Sequence, residues 1–536
     1  MKFDPLYQPY TSHRLPTYAR KGMVATSQPL ASQAGLDILK AGGNAIDAAV
    51  ATAAALTVLE PAFNGIGGDA FALVWTKGEL HGLNASGPAP KTLSIEALQS
   101  LGIDEIPKYG VTPITVPGAP AAWAELSRKF GRLSLEQTLE PAVRYASEGY
   151  PIPAGLAYFW NRAHRIFRTN LSGKAYEEWF RVFAPNGKAP QAGELWSSPD
   201  HAATLREIGK TNAESFYRGE LAAKIVTHIK QHDGFLNLED LAAYEPEWVK
   251  PISVPYRGYD VWEIPPNGQG LIALMALRIM DGLDAGEKDS VSTLHRQIEA
   301  MKLAFADGEA YLADAPHMRT SIEGLISSEY ADTRRALISD EAALPGPGTP
   351  PSGGTVYLAT ADEEGNMVSF IQSNYMGFGS GIVIPGTGIS MQNRGHNFSM
   401  NPEHDNALAP GKKSYHTIIP GFLTKDGEAV GAFGVMGGFM QPQGHLQVMM
   451  NTIDFQLNPQ AALDSPRWMW EHGKSVQVEP DFPTHLLQAL MRKGHEIKVA
   501  SDKSTFGRGQ IIWRDSKSGV LCGGTESRAD GSIAAW

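Results

Sequence analysis

The run Leu344-Pro-Gly-Pro-Gly-Thr-Pro-Pro-Ser-Gly-Gly354 divides this chain more sharply than any other feature. Proline lacks the amide proton that a helix or a ladder needs, and glycine loses the most freedom on ordering. A stretch so composed predicts a surface linker. The hydrophobic pattern changes across it. Downstream, Thr355–Ala361 and Met367–Ser373 are strand-like and flank the polar turn Asp362–Asn366, which reads as a hairpin. Further strand-like segments follow at Ile382–Ile384, Thr417–Leu423 and Gly509–Trp513, with helices expected at His445–Phe455 and His485–Lys493. The chain therefore reads as a helix-rich part, 1–354, and a sheet-rich part, 355–536.

Upstream of the linker the period is mostly helical. Leu30–Leu39 carries helical spacing up to Gly42-Gly43, and Asn44 can cap a helix over Ala45–Leu59 with Asp47 in its first turn. That helix holds seven Ala between 45 and 55 and is apolar on nearly every side, the mark of burial between layers. Pro61 ends it, and the loop Asn64-Gly-Ile-Gly-Gly-Asp69 leads into strands over Phe71–Trp75 and Leu80–Leu83. Helices are expected at Ala121–Phe130, Leu135–Glu148, Leu271–Met280 and Val291–Ala313, with an extended segment over Val254–Ile264.

Composition narrows the class. With 46 Lys and Arg against 57 Asp and Glu, the net charge is −11, which argues against nucleic acid or an anionic membrane surface as partner. The stretch Ala429–Ile453, free of Asp, Glu, Lys and Arg, contains five Gly and Pro442 and does not read as a membrane span. The N-terminal stretch has no apolar run of the signal-peptide kind, so a cytoplasmic location is expected. Cys522 is the only cysteine, which excludes an intrachain disulfide and a cysteine-based metal site. No zinc-binding spacing of histidines occurs. Gly209-Lys210-Thr211 lacks the upstream glycine of a phosphate loop, and Gly268-Gln-Gly-Leu-Ile-Ala273 reads as a helix-start turn. No metal or cofactor is expected.

What remains is Gly353-Gly354-Thr355, where the linker meets the first strand. A threonine opening a strand is ordinarily just a β-branched strand residue. Here, cleavage before Thr355 would give a residue carrying both a hydroxyl nucleophile and an α-amine of pKa ~7.7–8.0, able to act as its base. Gly437-Gly438 follows an apolar strand-like run, and a glycine pair can turn two backbone N–H groups toward an oxyanion or simply form a tight turn.

Taken together, the residues resemble the gamma-glutamyltransferases, self-processing N-terminal nucleophile hydrolases. The resemblance rests on Pro29-Leu-Ala-Ser-x-x-Gly35, Gly42-Gly-Asn-Ala-x-Asp-Ala48, Asn64–Asp69, Val116-Pro-Gly118 and Tyr256-Arg-Gly-Tyr259. It continues through Thr355 with Asp362–Asn366, Gly377-Phe-Gly-Ser-Gly381 and Gly437-Gly438. It implies an α+β fold, a four-layer αββα sandwich. It also implies autocleavage between Gly354 and Thr355, giving a large subunit 1–354 and a small subunit 355–536 that stay together as a heterodimer, itself able to pair. By resemblance, Thr355 is the nucleophile, Ser373 stands where the family has a supporting Thr, and Gly437 and Gly438 form the oxyanion hole.

The substrate pocket departs from the family pattern. Leu93 falls where the family has an Arg for the substrate α-carboxylate, and Asn397 replaces the acid that holds the α-ammonium. Arg394 replaces a Gln, Tyr375 an Asn, and His416-Thr417 a Ser pair. Arg394 thus becomes the expected carboxylate partner, and selection for an α-ammonium is expected to be weak. The expected activity is cleavage of gamma-glutamyl-type amides of small molecules through an acyl-enzyme, resolved by water or an amine acceptor. Glutaryl-cephalosporin or oxamate is the alternative acyl source, and an unprocessed, non-catalytic binding protein is the alternative of another class.

Overall fold

The computed structural model describes residues 14–345 and 354–536, so most of the Pro/Gly run, including Gly353, lies outside the described residues. The helix Ala45–Leu59 forms as its sequence demands. Asn44 accepts from the Ile46 and Asp47 amides, while Asp47 Oδ2 accepts the Asn44 amide at 2.9 Å, a reciprocal capping box. All fifteen of its residues are buried, because it lies between helices Pro29–Lys40, Ala119–Phe130 and Leu135–Glu148 on one side and a sheet on the other.

That sheet has seven antiparallel strands in the order Ser532–Ala535, Gly22–Thr26, Gly354–Asp362, Met367–Tyr375, Asp69–Thr76, Glu79–Ala85 and Glu247–Val249. A second antiparallel sheet of seven runs Thr17–Ala19, Leu521–Thr525, Arg508–Arg514, Glu428–Met436, Gly421–Lys425, Tyr259–Glu263 and Ile252–Tyr256. The two stack face to face: Trp75 of the first lies over Phe422 of the second at 5.9 Å, nearly parallel. Gly434 leaves room for the Tyr357 ring, whose hydroxyl meets Ser369 Oγ at 2.8 Å. Helices Gly270–Asp281 and Met440–Ile453 cover the outer side of the second sheet, and Val291–Tyr311 packs against them. Each sheet contains strands from both sides of the linker.

Three expectations need correction. Ile382–Ile384 forms no strand; Val383 makes a single bridge to Ser390, and the chain turns instead through Gly386 and Gly388, both at positive φ. The strand expected from Thr417 begins only at Gly421. Before it, side chains take the place of a ladder: Ile418 N–H donates to His416 Nδ1, Ile419 N–H to Gln441 Oε1, and Pro420 has no N–H. Val254–Ile264 is a hairpin folded about Arg257-Gly258, not one extended piece. Among the described residues no helix is long and apolar enough to cross a membrane.

Candidate active site

Thr355 sits at an irregularity in the first sheet. Gly354 pairs with Tyr375 and Val356 with Gln372, so Ser373 and Asn374 both lie opposite Thr355. Such a bulge re-aims a side chain. The Thr355 hydroxyl donates to Ser373 Oγ at 3.2 Å, and the Tyr375 amide donates to the same oxygen at 2.8 Å. Gln441 Nε2 lies 3.5 Å from Thr355 Oγ1. Thr355 is only 2% exposed and lines a cavity of about 460 Å³ together with Met376, Gly377, Gly437, Gly507 and Arg508.

The glycine pair ends the strand Glu428–Met436 and precedes the helix Met440–Ile453. Gly437 has φ +138° and Gly438 φ +61°, and a Cβ on Gly437 would meet Gly507 Cα at 3.0 Å. Two buried groups hold this turn. Beyond the end of its neighbour strand, the Val435 amide donates to His445 Nε2 at 3.2 Å, which leaves the imidazole proton on Nδ1 to donate to Glu263 at 2.6 Å. Gln269, at the helix-start turn, donates through Nε2 to the carbonyls of Gly438 (2.8 Å) and Thr417 (2.6 Å), and accepts from the Tyr415 hydroxyl.

The other sequence-selected residues gather next to Ser373 and outside the cavity wall. Arg394 is 1% exposed; its Nη1 donates to Thr417 Oγ1 at 2.8 Å and its guanidinium lies over the Tyr375 ring at 4.4 Å. Its Nε and Nη2, and the Tyr375 hydroxyl, are buried without hydrogen-bond partners. Tyr375 adopts φ +74°, an uncommon conformation for a bulky side chain. Asn397 stands further out, its Nδ2 donating to the Tyr415 carbonyl at 3.1 Å. Leu93 is packed in a small separate apolar cluster with Leu98 and Phe398.

Asp69, seen in the sequence only as the end of a glycine loop, pairs in register with Ser373. It meets His416 Nε2 at 3.1 Å. Because His416 Nδ1 accepts the Ile418 amide, the ring is neutral with its proton on Nε2, donated to Asp69. Burial, then the Arg394 charge, pushes the His416 pKa well below its usual range. Burial pushes Asp69 up to about 7 against the pull of Arg394 and the Gly87 and Gly118 amides. Burial likewise lowers Arg394 to about 10, opposed chiefly by Asp69, so it remains a cation at neutral pH. A neutral His416 thus donates to Asp69 beside the buried Arg394 cation.

A separate buried group, His295, Glu299 and His495, also comes together, although no metal-ligand spacing is visible in the sequence. Most of its polar atoms are engaged within the protein: Lys302 Nζ lies 2.6 Å from Glu299, His295 Nε2 meets the Ser339 carbonyl and His295 Nδ1 meets His495 Nε2, while His495 Nδ1 is buried without a partner.

Two facing antiparallel sheets between helical layers, with a threonine opening a central strand, define the four-layer αββα sandwich of the N-terminal nucleophile hydrolase type. The gamma-glutamyltranspeptidase family model matches residues 31–536. The crystal structure of a cephalosporin acylase from Bacillus halodurans is 64% identical, with a TM-score of 0.98, covering 100% of this chain and 99% of that one. A glutathione hydrolase-like proenzyme of Bacillus subtilis is 35% identical over 96% of this chain and 98% of its own length. An oxamate amidohydrolase proenzyme of Klebsiella pneumoniae is 34% identical with the same coverage of both chains. The chain belongs to the gamma-glutamyltranspeptidase family and is an amidohydrolase of that family.

Proposed function

We propose that this protein is a self-processing amidase whose nucleophile is Thr355 and whose substrates are amides of acyl groups ending in a carboxylate. One observation carries the reading: a buried threonine hydroxyl donates to Ser373 at the base of a cavity that Gly437 also lines. In maturation, Thr355 Oγ attacks the Gly354 carbonyl, the C–N bond breaks, and the resulting ester is hydrolysed. Gly354 becomes a carboxylate and Thr355 gains a free amine. Both sheets contain hydrogen-bonded strands from 14–345 and from 354–536, which supports their staying joined as a heterodimer.

In turnover, the Thr355 amine takes the hydroxyl proton as Oγ attacks the substrate carbonyl, and later passes it to the departing amine. The N–H groups at Gly437 and Gly438 receive the oxyanion. Water or an amine acceptor then resolves the acyl-enzyme. On the acyl side, the unpartnered Arg394 Nε and Nη2 and the Tyr375 hydroxyl are donors suited to a carboxylate. Neutral Asn397, engaged with Tyr415, has no charge for an ammonium. Glutaryl amides should therefore be cleaved as well as gamma-glutamyl ones, and the names of the acylase and oxamate relatives agree with a relaxed acyl preference.

The test compares glutaryl, gamma-glutamyl and oxalyl 4-nitroanilides. The glutaryl and gamma-glutamyl compounds should have kcat/KM values within about tenfold, ~1.4 kcal/mol. Arg394→Ala should raise KM for both. A strong gamma-glutamyl preference with Arg394→Ala silent would contradict the assignment.

A further inference from the structure

The Thr355 cavity contains a second buried cation that the reaction above does not use. Arg508 is 8% exposed and lies on the cavity wall beside Gly507 and Gly437. Its guanidinium rests against two aromatic rings, 4.4 Å from the Phe63 centroid and 4.3 Å from that of Phe159, which themselves meet edge to face at 5.0 Å. Packing of this kind restrains the plane and leaves the N–H edge to bond.

Among the described residues, Arg508 makes no side-chain hydrogen bond or ion pair, and the acids that feel its charge are each committed elsewhere. Glu60 accepts from Ser27, Asp530 from the Gly155 and Leu156 amides, and Glu526 from Arg467 and Arg528. A buried guanidinium without a partner is costly unless it serves a ligand. Exposed Lys108 and Arg162 stand at the same cavity and add to its positive potential. Neither Arg394 nor Thr417 lines it. Of the two buried cations, Arg508 shares the cavity with Thr355, whereas Arg394 stays in its closed group with Tyr375 and Thr417.

We propose that Arg508 is the anion anchor of the leaving-group side, so that the amine released by this enzyme carries a carboxylate on a flat, largely apolar body. The Phe63 and Phe159 rings supply the surface for that body, and Arg508 supplies a bidentate partner for its carboxylate. This assignment rests on Thr355 being the nucleophile.

The experiment uses the full-length protein and two glutaryl anilides that differ only in a ring carboxylate, glutaryl-4-nitroanilide and glutaryl-3-carboxy-4-nitroanilide. Wild type should prefer the carboxylated compound at least tenfold in kcat/KM, through KM. Arg508→Gln should bring the ratio close to one, and Arg508→Lys should restore part of it. A ratio near one in wild type, or one unchanged by Arg508→Gln, overturns the proposal. So does an Arg508→Gln effect confined to the choice between glutaryl and butyryl acyl groups. The free amines give an independent reading: 5-amino-2-nitrobenzoate should bind wild type at least tenfold more tightly than 4-nitroaniline by calorimetry. Equal binding contradicts the anchor even if no anilide is cleaved, whereas tight binding without cleavage would leave Arg508 standing and count against the acyl assignment alone.

Discussion

Replacing Gly437 and Gly438 one at a time by alanine separates an oxyanion hole from an ordinary turn. The two positions differ in a way that sets the order of damage. Gly438, at φ +61°, occupies the left-handed region, which a side chain enters at about 1–2 kcal/mol. Gly437, at φ +138°, lies where essentially only glycine is found, and its new Cβ would press on Gly507 Cα at 3.0 Å, a backbone atom with little freedom to yield. The backbone must therefore rotate, and the Gly437 N–H rotates with it. Losing one donor of this kind lowers kcat by ~10²–10³, about 2.7–4 kcal/mol. Gly437→Ala should show that loss with a lower Tm, and Gly438→Ala a smaller loss of both. The assay is steady-state turnover of a glutaryl anilide, paired with thermal unfolding and a gel for the processed fragments. Full kcat in both variants would show that these N–H groups do not receive the oxyanion.

Two further outcomes follow from buried groups around the site. Gln269→Leu removes the donor shared by the Gly438 and Thr417 carbonyls and strands the Tyr415 hydroxyl, at about 1–3 kcal/mol per unpaired group. It should lower kcat by roughly 10–100-fold, and wild-type kinetics in that variant would show that the brace does not position the glycines. Glu60 is pushed up to about 7 by burial, so folding takes up a proton between the usual carboxyl range and neutrality. Its protonated form supports the fold at low pH, and that contribution, on the order of 3 kcal/mol, is lost as pH rises toward 7. Urea unfolding from pH 4.5 to 8 should therefore show a flatter stability profile for Glu60→Gln than for wild type; parallel profiles would refute the buried-acid reading.

The parts of this molecule readable in the sequence are those with a local cause. Ala45–Leu59 announces itself by its cap and its all-round apolar surface, and the Thr355–Ser373 hairpin by two strand-like runs about a polar turn. Gly437-Gly438 is conspicuous because a glycine pair between a strand and a helix has few uses. What escapes is what distance brings together. Gln269 lies 169 positions from Gly438, and nothing near it announces that contact. Asp69 becomes informative only once its strand pairs with Met367–Tyr375. Arg508 reads as one more charge until Phe63 and Phe159 close around it. The late start of the strand at Gly421 has the same origin, since the groups replacing the ladder are side chains of His416 and Gln441.

The central claim is that Thr355 becomes an N-terminus and then acts as the nucleophile. The most direct measurement is intact mass spectrometry with N-terminal sequencing on purified wild type and Thr355→Ala, before and after incubation with a glutaryl anilide. Wild type should resolve into fragments 1–354 and 355–536, the second beginning Thr355-Val356-Tyr357 and gaining the mass of one glutaryl group during turnover. Thr355→Ala should remain a single chain of 536 residues that takes up no acyl group. Cleavage at another bond, or normal processing and acylation in Thr355→Ala, would contradict the account.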